Sequence, residues 1–170
     1  ALQKAPADMM GHAVSTYLLT AEACGHTKES ITYLVSHAAE MADSTRIYWL
    51  RRAAQEALKT GDTKTAESCL EEVINSRIVL IEDLYNLDSV YEKEGAWDKS
   101  MKILKQMKNE YPGEYTVYIR LAYVFYRFNN DRRPADRSYR EVFSCYEKAR
   151  ELMKEKGVKT ESEPDMVQLE

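Results

Sequence analysis

A spacing of 34 residues links apolar and small side chains along most of this chain. The clearest segment runs from 84 to 112, where two amphipathic helical patterns meet at Gly95 and the second ends at Pro112. Apolar residues recur at intervals of three and four, the period of one helix face. Gly tolerates the left-handed backbone of a helix end, and Pro cannot continue the ladder of hydrogen bonds. The segment therefore predicts two helices joined by a tight turn.

The same pattern occurs before and after this segment. Thirty-four residues earlier, Gly61 takes the place of Gly95, and Ala66 takes the place of Ser100. A period of this length constrains a chain to stacked pairs of helices. The other matched positions are Leu50, Leu84 and Tyr118; Ala53, Leu87 and Leu121; Ala57, Tyr91 and Phe125; Leu70 and Leu104; and Val73 and Met107.

The third copy of the pattern is interrupted between its two helices. After Asn129 come eight extra residues, NDRRPADR, before Tyr139 and Val142 restore the pattern. Turns between helices are where repeat proteins tolerate extra length. We expect a solvated basic loop here, with a contact to an acidic partner as the alternative.

A period of 34 with small and aromatic residues at fixed places is the signature of tetratricopeptide repeats, and residues 47 to about 155 resemble that family. Two residues depart from its pattern: Asp88 stands where the family usually has Gly, and Ile78 where it has Pro. The resemblance implies an all-α, right-handed solenoid of antiparallel helix pairs. The expected organisation is a diverged capping pair over 1–46, repeats over 47–80, 81–114 and 115–156, the last with its insertion near 130–137, and a linker with a truncated helix over 157–170.

The composition restricts the function classes. A formal charge of −4 and a pI near 5.5 argue against general nucleic-acid binding, whose footprint is basic. No run of apolar residues is long enough to cross a membrane. The final segment, PDMVQLE, suits a helix cut off after about two turns, so we expect the natural polypeptide to continue.

No catalytic or cofactor-binding motif stands out. Phosphate-binding and nucleophile motifs are absent, and the three histidines lack metal-ligand spacing, so we predict no enzyme activity, cofactor or metal. Cys24, Cys69 and Cys145 are widely spaced and form no CxxC pair. We expect reduced structural thiols, with a disulfide or a reactive cysteine as the alternative.

The resemblance implies that a peptide or protein binds in a concave groove lined by the first helix of each repeat. A basic column of Lys59, Lys93 and Arg127 at period 34 and several tyrosines suit such a surface. The alternative is that the tyrosines pack between repeats and the column is a solvated edge. The candidate groove residues are Tyr48, Arg51, Gln55, Lys59, Tyr85, Asn86, Ser89, Lys93, Ile119, Arg120, Tyr123, Tyr126 and Arg127.

Two finer expectations concern the ligand. Some tetratricopeptide domains clamp a terminal carboxylate, and Arg51, Asn86 and Arg120 match that clamp in part. Arg120, Tyr123 and Arg127 are spaced to share one helix face, which suits an acidic or C-terminal peptide.

The last third, from EYPGEYTVYIRLAYVFYRFNND onward, also resembles tetratricopeptide regions attached to some clostridial-type bacterial serine/threonine kinases. That resemblance implies a regulatory or scaffold region of a larger bacterial protein. The sequence thus favours a non-catalytic protein-binding module, with a homodimerisation or spacer module as the alternative.

Overall fold

Helices separated by short turns account for most of residues 9–159, the part of the chain that the computed structural model describes. Within that range lie eight α-helices and no strand. The predicted final helix, PDMVQLE, lies outside the described residues. The helices are α1 (Met10–Ala23), α2 (Thr27–Ala38), α3 (Asp43–Thr60), α4 (Thr63–Ile74), α5 (Ile81–Lys93), α6 (Trp97–Glu110), α7 (Tyr115–Asn130) and α8 (Arg140–Glu155).

The first of two compact units, Ala1–Asn86, is built around α1 to α4. In it α1 packs on α2, α2 on α3, and α3 on α4. Leu34, Trp49 and Leu70 are fully buried, because each lies on the apolar stripe of its own helix. Helix α4 also has a side-chain cap, since the Asp62 carboxylate accepts a hydrogen bond from the backbone N–H of Thr65 at 3.2 Å.

The second unit, Leu87–Glu170, contains the end of α5 and all of α6, α7 and α8. Here α6 packs on α7, and α7 packs on α8. The largest side chains buried without exposure to solvent include Leu87, Leu104 and Met107. A second apolar cluster joins α7 to α8 and contains Tyr118, Ile119, Ala149, Leu152 and Met153.

The predicted turn glycines are confirmed. Gly61 follows α3 with φ 78°, and Gly95 follows α5 with φ 68°. A Cβ at either position would meet no heavy atom within 4 Å, so the backbone conformation, and not lack of space, requires Gly. The predicted close-packing sites at Ala66 and Ser100 are both completely buried.

The insertion lies between α7 and α8, as the sequence predicts, and its residues 131–138 are exposed. It contains a short 3-10 helix, Pro134–Asp136. The Arg137 guanidinium donates hydrogen bonds to the carbonyl oxygens of Asn130 (3.0 Å) and Arg132 (3.1 Å). The Asn129 side chain, buried at the end of α7, accepts a hydrogen bond from the backbone N–H of Ser138. These contacts give the basic loop a defined path.

Candidate functional site

Arg51, expected in the groove, holds two segments of the first unit together. Its Nε and Nη2 donate to the two carboxylate oxygens of Asp83 at 2.6 and 2.7 Å, and Nη2 also donates to the Ile78 carbonyl at 3.0 Å. Asp83 is completely buried, and its Oδ2 accepts the backbone N–H of Leu80 at the start of α5. The hydrogen bond to Asp83 raises the pKa of Arg51. This guanidinium therefore compensates a buried carboxylate.

Two other candidates in the first unit also have partners close in sequence or in space. The Tyr48 hydroxyl donates to the Gly11 carbonyl at 3.3 Å, and Lys59 Nζ donates to the nearly buried carboxylate of Glu56 at 2.8 Å. The amide oxygen of Gln55 accepts from Arg52 at 2.9 Å. Tyr85 and Asn86 are partly buried. Local pairing of this kind leaves little unneutralised charge on α3.

A buried carboxylate organises the second unit. Asp88 is completely buried, and it accepts hydrogen bonds from the Ser100 hydroxyl and from Arg120 Nε, each at 2.5 Å. The Arg120 Nη2 atom also reaches Ser89 at 3.2 Å and the Glu92 carboxylate at 3.2 Å. Burial raises the pKa of Asp88, although Arg120 and Ser100 act to lower it. Arg120 is thus paired with two carboxylates of α5.

A different arrangement surrounds Arg127, at the other end of α7. Its guanidinium lies 5.0 Å from the centre of the Trp97 ring and 5.8 Å from the centre of the Tyr123 ring. It donates to the Tyr123 hydroxyl at 3.1 Å, and the two rings meet edge to face at 6.3 Å. Arg127 is exposed and has no ion pair to a carboxylate among residues 9–159. We call these three residues the Trp97 cluster.

The structure separates residues that the helical spacing had grouped. Ile119 was expected to be exposed in the groove, and this is wrong: it is 3% exposed and packs in the cluster between α7 and α8. Tyr126 is 42% exposed, and its ring lies 6.1 Å from the ring of Tyr139, away from the Trp97 contact of Tyr123. Lys93 is exposed at the end of α5. Its alignment with Lys59 and Arg127 stays a prediction.

Trp97 is the functional candidate that the sequence pattern did not identify. It was assigned to the apolar stripe of α6, but its side chain is only partly buried and carries Arg127 on its face. A signal was present, because the matching position 34 residues earlier is Thr63. A large aromatic residue at a position that is polar in the preceding repeat is a reason to look for an unusual neighbour.

The cysteines and acidic residues provide no reactive centre in the part of the chain described. Burial raises the pKa of the Cys69 thiol to about 11 and also raises that of Cys145, so both stay protonated near neutral pH. All three cysteines are free thiols, and Cys24 is exposed. Between residues 9 and 159, no three His, Cys, Asp or Glu side chains are grouped closely enough to hold a metal ion. None of the described helices is long and apolar enough to cross a membrane.

Comparison with solved structures finds a similar fold in a protein that contains tetratricopeptide repeats. MamA MSR-1 C2 matches 91% of this chain and 83% of its own with a TM-score of 0.66 at 17% sequence identity. At that identity the likeness shows the fold alone, and it confirms the all-α, tetratricopeptide-like fold of sequence-adjacent helix pairs. No family model matches the sequence. No curated protein matches it either.

Proposed function

We propose that the chain is a non-catalytic module that binds a protein or peptide, and that the Trp97 cluster is an anchor for this ligand. The observation that carries the proposal is the state of Arg127. Its charge lies exposed over two aromatic rings, and no carboxylate of the described residues neutralises it. The fold seen in MamA MSR-1 C2 supports an interaction module.

The cluster has the chemistry to recognise a carboxylate beside an apolar group. Packing on Trp97 and the hydrogen bond to Tyr123 restrict the Arg127 side chain, so less conformational entropy is lost when it binds. A guanidinium offers paired donors to a carboxylate, while Trp and Tyr offer apolar area with few rotatable bonds. An acidic segment or a C-terminus of a partner fits this combination.

The partial clamp of Arg51, Asn86 and Arg120 receives less support. Arg51 is bound to Asp83, and Arg120 is bound to Asp88 and Glu92. A ligand carboxylate would have to compete with completely buried carboxylates for both guanidiniums. We therefore assign ligand contact to Arg127 and a structural role to Arg51 and Arg120.

The test compares two arginines that each lie over an aromatic ring. Arg127→Ala removes the cation of the Trp97 cluster, whereas Arg150→Ala removes an exposed cation 5.8 Å from the Tyr146 ring on α8. Immobilised native and variant chains are incubated with lysate of the source cell, and the bound proteins are quantified by mass spectrometry. We expect the Arg127 variant to lose partners that the Arg150 variant keeps, at an unchanged helical circular-dichroism signal.

Identical partner sets for the native chain and both variants would contradict this assignment. The homodimerisation or spacer alternative has its own signature, a stable dimer by sedimentation that captures no other protein. Attachment to a larger bacterial protein, including a serine/threonine kinase, stays a prediction from the sequence.

A further inference from the structure

A second surface of aromatic side chains lies where α7 is joined to α8. Tyr126 on α7 is 42% exposed, and its ring lies 6.1 Å from that of Tyr139. Phe143 follows Tyr139 by one helical turn, with its N–H bonded to the Tyr139 carbonyl, and it is 65% exposed. Side chains four residues apart lie on the same side of a helix. We call Tyr126, Tyr139 and Phe143 the α7–α8 aromatic surface.

The residues around this surface carry positive charge in a chain that is negative overall. Residues 126–143 contain five arginines and three acidic residues, a net of +2, whereas the whole chain has −4, which leaves −6 elsewhere. Arg133 is paired with Asp136 at 2.9 Å. Arg137 donates to backbone carbonyls, and Arg132 lies 4.6 Å from the Phe128 ring centre. Arg140 is exposed, one position after Tyr139.

Three of these guanidiniums lack a carboxylate partner within the described range: Arg132, Arg137 and Arg140. Arg137 and Arg132 are nevertheless held in place, one by backbone carbonyls and the other by an aromatic ring. Cations that the fold positions but does not neutralise are complementary to an acidic ligand. Phe143 beside them is a large apolar side chain that water covers.

We propose that the α7–α8 aromatic surface and its arginines bind an acidic segment of a partner protein, with an aromatic or large aliphatic side chain of that segment packed on Phe143. Charge complementarity selects this occupant: the net of +2 over residues 126–143 contrasts with −6 over the rest of the chain. This surface is separate from the Trp97 cluster in its residues, so the inference goes beyond the proposed function. Aromatic and Arg side chains are also the types enriched among interface hot spots.

The probe is a fluorescein-labelled, glutamate-rich peptide with one central phenylalanine, followed by fluorescence anisotropy. Two matched peptides replace the phenylalanine with serine or every glutamate with glutamine. We expect saturable binding of the first peptide, weaker binding of the other two, and an affinity that falls as salt is added. Phe143→Ser should weaken binding about tenfold, because it removes the apolar anchor. Arg140→Ala should weaken it by a smaller factor and reduce the salt dependence.

Two control variants test whether peptide binding depends on this surface and not on another exposed group. Leu19→Ser removes a side chain of similar exposure, 67%, from α1 in the other unit. Arg127→Ala removes the cation of the Trp97 cluster. Neither should change the affinity, and circular dichroism should show all four variants equally helical.

Several outcomes would overturn the inference. One is no saturable binding of the peptide, and another is equal affinity of the native chain and Phe143→Ser. Loss of affinity in Arg127→Ala alone would place the peptide on the Trp97 cluster and so support only the proposed function. A dimer that Phe143→Ser dissociates, in the absence of peptide binding, would assign this surface to a second copy of the chain.

Discussion

Two sites 34 residues apart solve the same packing problem in different ways. In the first unit, Ala54 on α3 and Ala66 on α4 are both completely buried. In the second unit, the matching positions are Asp88 on α5 and Ser100 on α6, also completely buried and joined by a hydrogen bond. The alanines need no polar partner, whereas the carboxylate needs more than one hydroxyl to offset its burial.

The difference shows how one repeat can depend on the helix that follows it. Asp88 receives its compensating charge from Arg120 on α7, a residue 32 positions later in the chain. The first hairpin keeps its small site apolar, and its guanidinium, Arg51, instead compensates Asp83 at the start of α5. Removal of an apolar contact would cost the second unit less than removal of Arg120, because only the latter strands a buried charge.

The largest effect is therefore expected from Arg120→Ala. Asp88 would stay buried without its cation, and breaking a buried ion pair costs about 3–5 kcal/mol in the free energy of unfolding. We expect about 3 kcal/mol, the low end, because the Arg120 side chain is 24% exposed. Urea unfolding followed by circular dichroism measures it. Arg127→Ala, the matched arginine of the same helix, should change stability by no more than about 0.5 kcal/mol.

The pH dependence of this loss tests the charge directly. Burial raises the pKa of Asp88, and removal of Arg120 takes away a cause that lowers it, so the pKa in the variant should rise further. A carboxyl group with a raised folded-state pKa favours folding at low pH and loses that contribution as the pH rises through the pKa. The Arg120→Ala defect should consequently shrink as the medium is acidified. A defect that does not change with pH would mean that lost packing, and not the stranded carboxylate, explains it.

A triple variant should convert the second site into the first. Asp88→Ala with Ser100→Ala and Arg120→Met removes the buried charge together with its partners, which is often neutral or stabilising. We expect it to regain most of the stability that Arg120→Ala alone loses, as measured in the same urea titration. Instability comparable to that of the single variant would show that the polar network contributes more than its apolar replacement.

The next effect concerns the small residue itself. Ser100→Leu and Ala66→Leu both insert a large side chain into a completely buried site, and overpacking costs about 1–3 kcal/mol. We expect the Ser100 variant to lose more, because it also removes a hydrogen bond to the buried Asp88. Thermal melts of the two variants make the comparison. Equal losses would mean that the hydroxyl contributes nothing to the second site.

The sequence predicted the helix pairs because periodicity is a local property of the chain. Gly61 and Gly95, with Ala66 and Ser100, repeat at fixed spacing, and each has the backbone or the burial that the spacing predicts. Asp88 could only be noted as a departure from the family pattern. Its meaning depends on Arg120, and no local pattern relates a buried carboxylate to a cation on a helix beyond the next.

The site was less predictable for a related reason. Helical spacing shows which residues share an angle around α7, but not how deep each side chain lies. Ile119 was therefore placed in the groove, although the packing of α8 on α7 buries it. Arg120 and Arg127 were equally good candidates by spacing, and only tertiary contacts distinguish the paired arginine from the unpaired one.

A smaller effect is expected where the two hairpins turn. The Asp62 carboxylate caps α4 through the Thr65 N–H at 3.2 Å and the Thr65 hydroxyl at 2.7 Å, and these bonds lower the pKa of Asp62. Asp62→Ala should cost about 1 kcal/mol at neutral pH. A group with a lowered folded-state pKa stabilises the fold above its ordinary value of about 3.9 and loses this as the pH falls through the folded pKa. Native and variant stabilities should converge in acid, and a gap of constant size would exclude an ionised cap.

The smallest effect is the reciprocal change in the second hairpin, where Ala96 begins α6 without a side-chain cap. The backbone there, φ −82° and ψ 59°, is close to that of Asp62, φ −81° and ψ 77°. Ala96→Asp should therefore place a carboxylate near the Lys99 N–H, which corresponds to that of Thr65. We expect a gain of about 0.5 kcal/mol, below the usual value for a cap, because Lys99 has no hydroxyl and Asp98 is a nearby like charge. A melting temperature unchanged or lowered by Ala96→Asp would show that the turn geometry of the two hairpins is not equivalent.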